Sequence, residues 1–229
     1  VNQKWHFLFL NPWCVKNNKE TVDSRQSVIV VLYNDVEKYP PTINKAIELS
    51  RRVDQVTILG RSLKKPLFTF PKNVKYVRHD AYFTDANLDE IPAWRKLYSF
   101  IGFIQRLKKE IKLSNPSMVI CHDMMAAFAY WLLLKIQWNK NKPLFWYHNH
   151  DVIHDWTIPR QSVMWLAKRY EPGFFNKMDI FTLPVEERKI YFPIQKFTGL
   201  VHVLPNYPLL SRINQIRSTN KGGNEDTIR

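Results

Sequence analysis

The chain has 229 residues, 45% hydrophobic, 14% aromatic and 24% charged, with 6 glycines and 2 cysteines. That balance excludes collagen-like, low-complexity and wholly disordered chains, and it is too poor in thiols for a disulfide scaffold, which fits a reducing compartment. Lys plus Arg total 34 against 20 Asp plus Glu, a net of +14, so a surface this basic is expected to attract nucleic acid, phosphorylated small molecules or anionic lipid, unless it is simply solvated.

In chain order, residues 1–27 carry an aromatic patch (Trp5, Phe7, Phe9, Trp13) and then a polar stretch. They read as an appended segment with an edge strand, followed by a linker. Val28-Ile29-Val30-Val31-Leu32-Tyr33 is continuously apolar and β-branched, the pattern of a strand covered on both faces. Residues 34–41 read as a loop, and Thr42 as the N-cap of a helix whose stripe is Ile43, Ala46, Ile47 and Leu49. Strands are expected at 56–60 and 74–77. A long helix follows Pro92, and Trp94, Leu97, Ile101, Ile104, Leu107 and Ile111 step by three and four as its core face.

Residues 116–121 read as a strand ending in His122-Asp123. Residues 124–138 form an almost wholly apolar helix that must be buried on most sides. Its uncharged run stops at Lys135, well short of the roughly 20 residues a bilayer span needs. A strand at 144–147 runs into His148-Asn149-His150-Asp151, a helix covers about 161–176, and strands follow at 179–183 and 201–204, with a short helix at 186–192 between them. Beyond Pro205-Asn206 the chain turns polar, with Gly222-Gly223 in a tail or linker over 211–229.

Strand–helix alternation with apolar strands predicts an α/β fold over 28–210: a doubly wound, mostly parallel, Rossmann-like sheet with helices on both faces. Ligands of such sheets bind outside the carboxyl ends of the strands. The residues just after the strands are therefore the candidates: Asn34, Asp35, His122, Asp123, His148, His150, Asp151 and Asn206.

Five of these pieces, in order, resemble the N-terminal domain of a GT-B glycosyltransferase of the family-4-like kind. They are Asp35 with Tyr39-Pro40-Pro41-Thr42, Val56-Thr57-Ile58-Leu59-Gly60, Asn115 to His122-Asp123, Tyr147-His148-Asn149-His150-Asp151, and Lys177-Met178-Asp179 through Leu204-Pro205-Asn206. The resemblance covers roughly 28–210. It departs from the family in lacking paired glycines in the first loop and a Glu-x7-Glu pattern after Asn206.

The resemblance implies the acceptor-side domain of an enzyme that moves a sugar from a UDP- or GDP-sugar to a hydroxyl of a glycan or lipid-linked acceptor, with retention of configuration. It implies a C-terminal nucleotide-binding domain or subunit, without which this chain is inactive, and no covalently bound cofactor and no metal. His150 then contacts the transferred sugar, with His148 second and Asp151 orienting the imidazole. Asn34, Asp35, His122, Asp123 and Asn206 line the substrate side. A cytoplasmic location follows. Arg95, Lys96, Arg106, Lys108, Lys109 and Lys112 on the long helix are either a solvated face or suited to the anionic inner face of a membrane.

Other readings stay open. His148 can be a packed core histidine, Asp123 an N-cap and Asn206 a turn residue. The run His148, His150, Asp151, His154, Asp155 is dense in ligand types, which suits a metal-dependent hydrolase, although the spacing matches no standard zinc motif. A non-catalytic module that recruits a partner subunit or an anionic polymer is the third reading. Nucleic acid is disfavoured because no recognition motif is present.

Overall fold

The computed structural model describes residues 26–61, 69–79, 91–137, 142–154 and 157–205. The expectations for residues 1–25, for Asn206 and for the tail over 211–229 lie outside them.

The β-branched run forms strand β1 (Ser27–Leu32), buried at every position. Its neighbours are β2 (Gln55–Arg61) on one side and β4 (Met118–Cys121) on the other, both parallel to it, with Val30 opposite Ile58 and Ile120. With β3 (Val74–His79), β5 (Leu144–His148), β6 (Ile180–Leu183) and β7 (Leu200–Val203) they make one seven-stranded sheet in the order β3-β2-β1-β4-β5-β6-β7. Every pairing is parallel. The expected doubly wound fold is therefore observed. The order reverses between β1 and β4, which places the topological switch point at their carboxyl ends.

Strand parity divides the core in two. Val28, Val30 and Leu32 of β1, Met118 and Ile120 of β4, Trp146 of β5 and Ile180 of β6 point to one face, where they meet Ile43, Ala46 and Leu49 of helix α1 (Pro40–Ser50). Ile29, Val31, Val119, Cys121, Phe145, Tyr147 and Phe181 point to the other. That second face is covered by α2 (Ala93–Ser114), α3 (Met124–Gln137) and α4 (Val163–Phe174), through residues such as Phe103, Tyr130 and Phe174. Residues 124–134 of α3 are buried except half-buried Leu132, as their composition demands, while its last turn reaches water at Lys135 and Ile136.

Two local expectations are corrected. Thr42 is not a cap: α1 starts two residues earlier, with Pro40 and Pro41 in its first turn. Proline suits that turn because the helix needs no N–H there. Thr42 is thereby carried inside the helix and faces the sheet. The core face of α2 keeps only part of the predicted stripe, Leu107 and Ile111. Phe100, Phe103, Leu107 and Ile111 are buried, whereas Trp94, Leu97 and Ile101 are exposed. The helix carries two apolar stripes, and periodicity alone does not choose between them.

Gly60 closes the switch-point end of β2. A Cβ there would lie 2.2 Å from Cγ2 of Val36, so only glycine lets the loop after β1 pack against this strand.

Candidate functional site

Parity also aims the polar residues. His122 follows Ile120 by two along β4, and His148 and His150 follow Trp146 by two and four, so all three imidazoles lie on the α1 face at the carboxyl edge. They are buried and in mutual contact. Nδ1 of His122 lies 2.7 Å from Nε2 of His150 and 2.9 Å from the Thr42 hydroxyl oxygen. The ring centroids of His148 and His150 are 4.3 Å apart, and those of His122 and His148 are 5.2 Å apart. Nδ1 of His148 lies 2.6 Å from Oγ1 of Thr182 on β6. That oxygen also accepts the indole N–H of Trp146 at 2.8 Å, which frees the hydroxyl proton for His148.

Lys45 of α1 points into the same cluster. Its Nζ sits 4.4 Å from the centre of the Trp146 ring, buried and without a hydrogen-bond partner. Burial lowers this amine to a pKa of about 7. His122 is held well below the ordinary histidine range by burial first, then by Lys45, His150 and His148. His150 is pushed down to about 3 by burial, then by Lys45 and Arg188. Arg188 donates to the His150 carbonyl and so fastens the loop after β5. At neutral pH His122 and His150 are therefore neutral imidazoles, able to donate or accept a hydrogen bond but not to act as cations.

Around this floor runs a more exposed rim. Asn34 is exposed and donates from Nδ2 to the Tyr39 hydroxyl at 3.1 Å. The Tyr39 ring centre lies 6.4 Å from that of His150. Asp151 is exposed, and its charge helps to raise the Tyr39 phenol above its ordinary range, after burial.

The remaining sequence candidates are placed differently. Asp123 ties two elements together: Oδ1 accepts from Ala126 N at 2.6 Å, capping α3, and Oδ2 accepts from Tyr33 N at 2.6 Å, holding the end of β1. Burial raises its pKa to about 6, against the pull of those backbone donors. Asp35 caps the short 3-10 turn Val36–Lys38 through Glu37 N at 3.1 Å. Asn206 lies outside the described residues. Among the described residues no group of three or more His, Cys, Asp and Glu is arranged to hold a metal ion.

Sequence reasoning missed Thr42 as a site residue, Lys45 and Thr182. The usable signal was Lys45 three residues after Thr42 on the sheet-facing side of α1, where a cation has no ordinary place. On the opposite face it also missed a buried chain. Asn149 Nδ2 donates to the Tyr147 hydroxyl at 2.7 Å, which donates to Glu171 at 2.8 Å, which is paired with Lys168 at 2.8 Å.

No protein-family profile matches the sequence, and no curated protein is significantly similar to it. Solved structures are similar. A sucrose-phosphate synthase from Thermosynechococcus elongatus matches with a TM-score of 0.55 at 13% identity, over 84% of this chain and 53% of the other. In a second structure of that synthase the match covers 85% of this chain and 98% of the other, with a TM-score of 0.54 at 12% identity. The Phytolacca americana UGT2, solved with UDP-2fluoro-glucose and pterostilbene, matches at 0.54 and 10% identity over 83% and 56% of the two chains. A UDP-N-acetylglucosamine 2-epimerase from Rickettsia bellii matches at 0.53 and 9% identity over 89% and 50%.

The fold is the Rossmann-like α/β fold of GT-B proteins. At these identities the likeness is one of fold. The chain spans about half the length of the full synthase, UGT2 and epimerase chains it matches.

Proposed function

We propose that this chain is the acceptor-side domain of a family-4-like glycosyltransferase. It takes a sugar from a UDP- or GDP-sugar to a hydroxyl of a glycan or lipid-linked acceptor, with retention, in the cytoplasm. It works with a C-terminal nucleotide-gripping domain or subunit and transfers nothing alone. The supporting observation is the convergence of His122, His148 and His150 on the switch-point edge, beneath the rim of Asn34, Tyr39 and Asp151.

In the reaction the bond from the sugar's anomeric carbon to the diphosphate oxygen breaks, and the diphosphate leaves with the electron pair. The acceptor oxygen forms the new bond, and its proton passes to the departing diphosphate. A neutral His150 suits a hydrogen bond to a sugar hydroxyl near the reacting carbon. His122 and Thr42 hold that imidazole in place from behind. Basic groups and a helix N-terminus of the second domain would stabilise the leaving diphosphate.

The test is sugar transfer by the complete enzyme, with His150→Ala, His148→Ala and Asp151→Ala side by side. His150→Ala should lower turnover by about 10²–10³-fold, the usual cost of a polar contact to the reacting group. Near-full turnover in His150→Ala overturns the assignment. Calorimetric titration of this chain with UDP- and GDP-sugars should show weak binding, and tight binding would overturn the division of labour. A second reading, a non-catalytic partner-binding module, is favoured by the deep burial of His122 and His148 and by the bonds they make to Thr42 and Thr182. It predicts no transfer from any donor.

A further inference from the structure

The reaction proposed above leaves unused a buried polar chain beneath the histidine loop. Strand β5 ends at His148, so His150 lies two residues past the ladder and needs other anchors. Asn149, between the two histidines, points to the opposite face of the sheet by strand parity. There its Nδ2 donates to the Tyr147 hydroxyl at 2.7 Å, and that hydroxyl donates to Oε1 of Glu171 at 2.8 Å. Oε2 of Glu171 pairs with Lys168 at 2.8 Å. Tyr147, Asn149 and Glu171 are 0%, 3% and 4% exposed. Glu171 and Lys168 stand about one turn apart on α4, so the chain ties that helix to the loop that carries His150.

Donors and acceptors along the chain run in one direction. Burial, then Glu171 beside it, hold the Tyr147 phenol well above its ordinary range, so it keeps its single proton. A carboxylate paired with a lysine only accepts, so that proton goes to Glu171 and the Asn149 amide must donate. This fixes which way round the Asn149 side chain lies. The same residue is also held along the sheet, where its backbone N–H donates to the Thr182 carbonyl at 2.9 Å. Thr182 in turn holds Nδ1 of His148 through Oγ1. Apolar side chains would fill the space under the loop without desolvating an ion pair. What they would not supply is direction, which a fully connected chain of hydrogen bonds does.

We propose that Tyr147, Asn149, Glu171 and Lys168 are positioning residues: through Asn149 they fix the peptide between His148 and His150, and so set the His150 imidazole against Nδ1 of His122. They work from the face of the sheet opposite the imidazoles and act through the backbone. The effect on the histidine contact stands on this geometry alone. Its consequence for turnover rests on the glycosyltransferase reading.

The test uses Tyr147→Phe and Asn149→Ala in the full chain. Neither changes a charge, and Phe keeps the ring that packs on Phe174 and Phe181. The readout is the nitrogen-15 coupling across the contact between His122 and His150 at neutral pH, where both rings are neutral. The coupling should be present in the parent chain and lost in both variants. Leu107→Ala, in the same core but off the chain, should lower the melting temperature and leave the coupling whole. If Tyr147→Phe and Asn149→Ala do not fold, Lys168→Met reads the chain from its outer end, and Lys168→Arg should restore the coupling that Lys168→Met loses. In the complete enzyme Tyr147→Phe should lower turnover about tenfold, less than His150→Ala, because the imidazole is displaced and not removed. A coupling that persists in the folded variants, or is absent from the parent chain, overturns the proposal. A parent enzyme that transfers no sugar overturns the glycosyltransferase reading alone, and the coupling still decides the role of the chain.

Discussion

Nδ1 of His122 and Nε2 of His150 face each other at 2.7 Å across the ends of neighbouring strands, so at most one proton lies between them. Charging both rings would set two cations in contact, in a site that already holds Lys45. His150 titrates at about 3 when folded and His122 well below the ordinary range, against about 6.5 for each in the unfolded chain. The unfolded state therefore binds more protons in that window, and stability rises with pH from about 3 to about 6.5. Asp123 works the other way. Its folded pKa of about 6 is raised, so its contribution is present below about 4 and is lost as pH rises through 6. Two histidines outweigh one aspartate. Melting temperature should fall steadily as pH is lowered from 7 to 4, and a flat profile would refute this account of the cluster.

Replacing Lys45 tests the buried amine directly. Burying a charge without a partner is unfavourable, and the Lys45 amine has no hydrogen-bond partner. Lys45→Met keeps the stem packed on Trp146 and should stabilise the fold by about 1–3 kcal/mol at pH 7 and below. The folded amine is neutral above its pKa of about 7. The gain should therefore shrink as pH climbs towards the unfolded value near 10.4. Denaturant unfolding of both proteins at pH 6, 8 and 10 gives the comparison. The same substitution should raise the titration points of His122 and His150, which NMR of the ring protons would read.

The histidines themselves should matter for stability. His148→Ala removes the partner of Thr182, and His150→Ala that of His122, each at a buried position. A loss of about 1–3 kcal/mol is expected for each. Turnover of His150→Ala must therefore be measured well below its own melting temperature. Loss of rate only in proportion to unfolded protein would make His150 a packing residue.

The two stripes of α2 should respond oppositely to truncation. Phe103→Ala empties a buried site and should cost about 3–5 kcal/mol, whereas Trp94→Ala should stay within about 0.5 kcal/mol. Equal costs would mean that the outer stripe is covered. Gly60→Ala should cost about 1–3 kcal/mol, because its methyl meets Val36 at 2.2 Å.

Asp123→Ala should lose the cap of α3 and the tie to β1 together. The cap alone contributes about 0.5–2 kcal/mol. Asp123→Asn keeps one acceptor oxygen and should recover part of the loss in thermal melts.

Much of this fold was legible in the sequence. The unbroken apolar runs of β1 and α3 can only be satisfied under cover on both sides, so they announced a sandwiched parallel sheet before any coordinates. Strand ends were equally readable, and with them His122, His148 and His150 as residues of one edge, because carboxyl ends align in a parallel sheet. What local pattern could not decide was which side chains meet. Periodicity put Trp94, Leu97 and Ile101 in one core stripe with Leu107 and Ile111, and only the packing of Phe100 and Phe103 against the sheet left the first three in water. Pro40 and Pro41 read as the end of a loop, but they form the first turn of α1, which moves Thr42 from a cap to a partner of His122. Lys45 looked like any helix lysine until α1 was laid over Trp146. Spacing along the chain determines the face a residue occupies within its own element. The contact between His122 and His150, 28 residues apart, depends on strand order and register, which are set by the burial of the whole sheet at once.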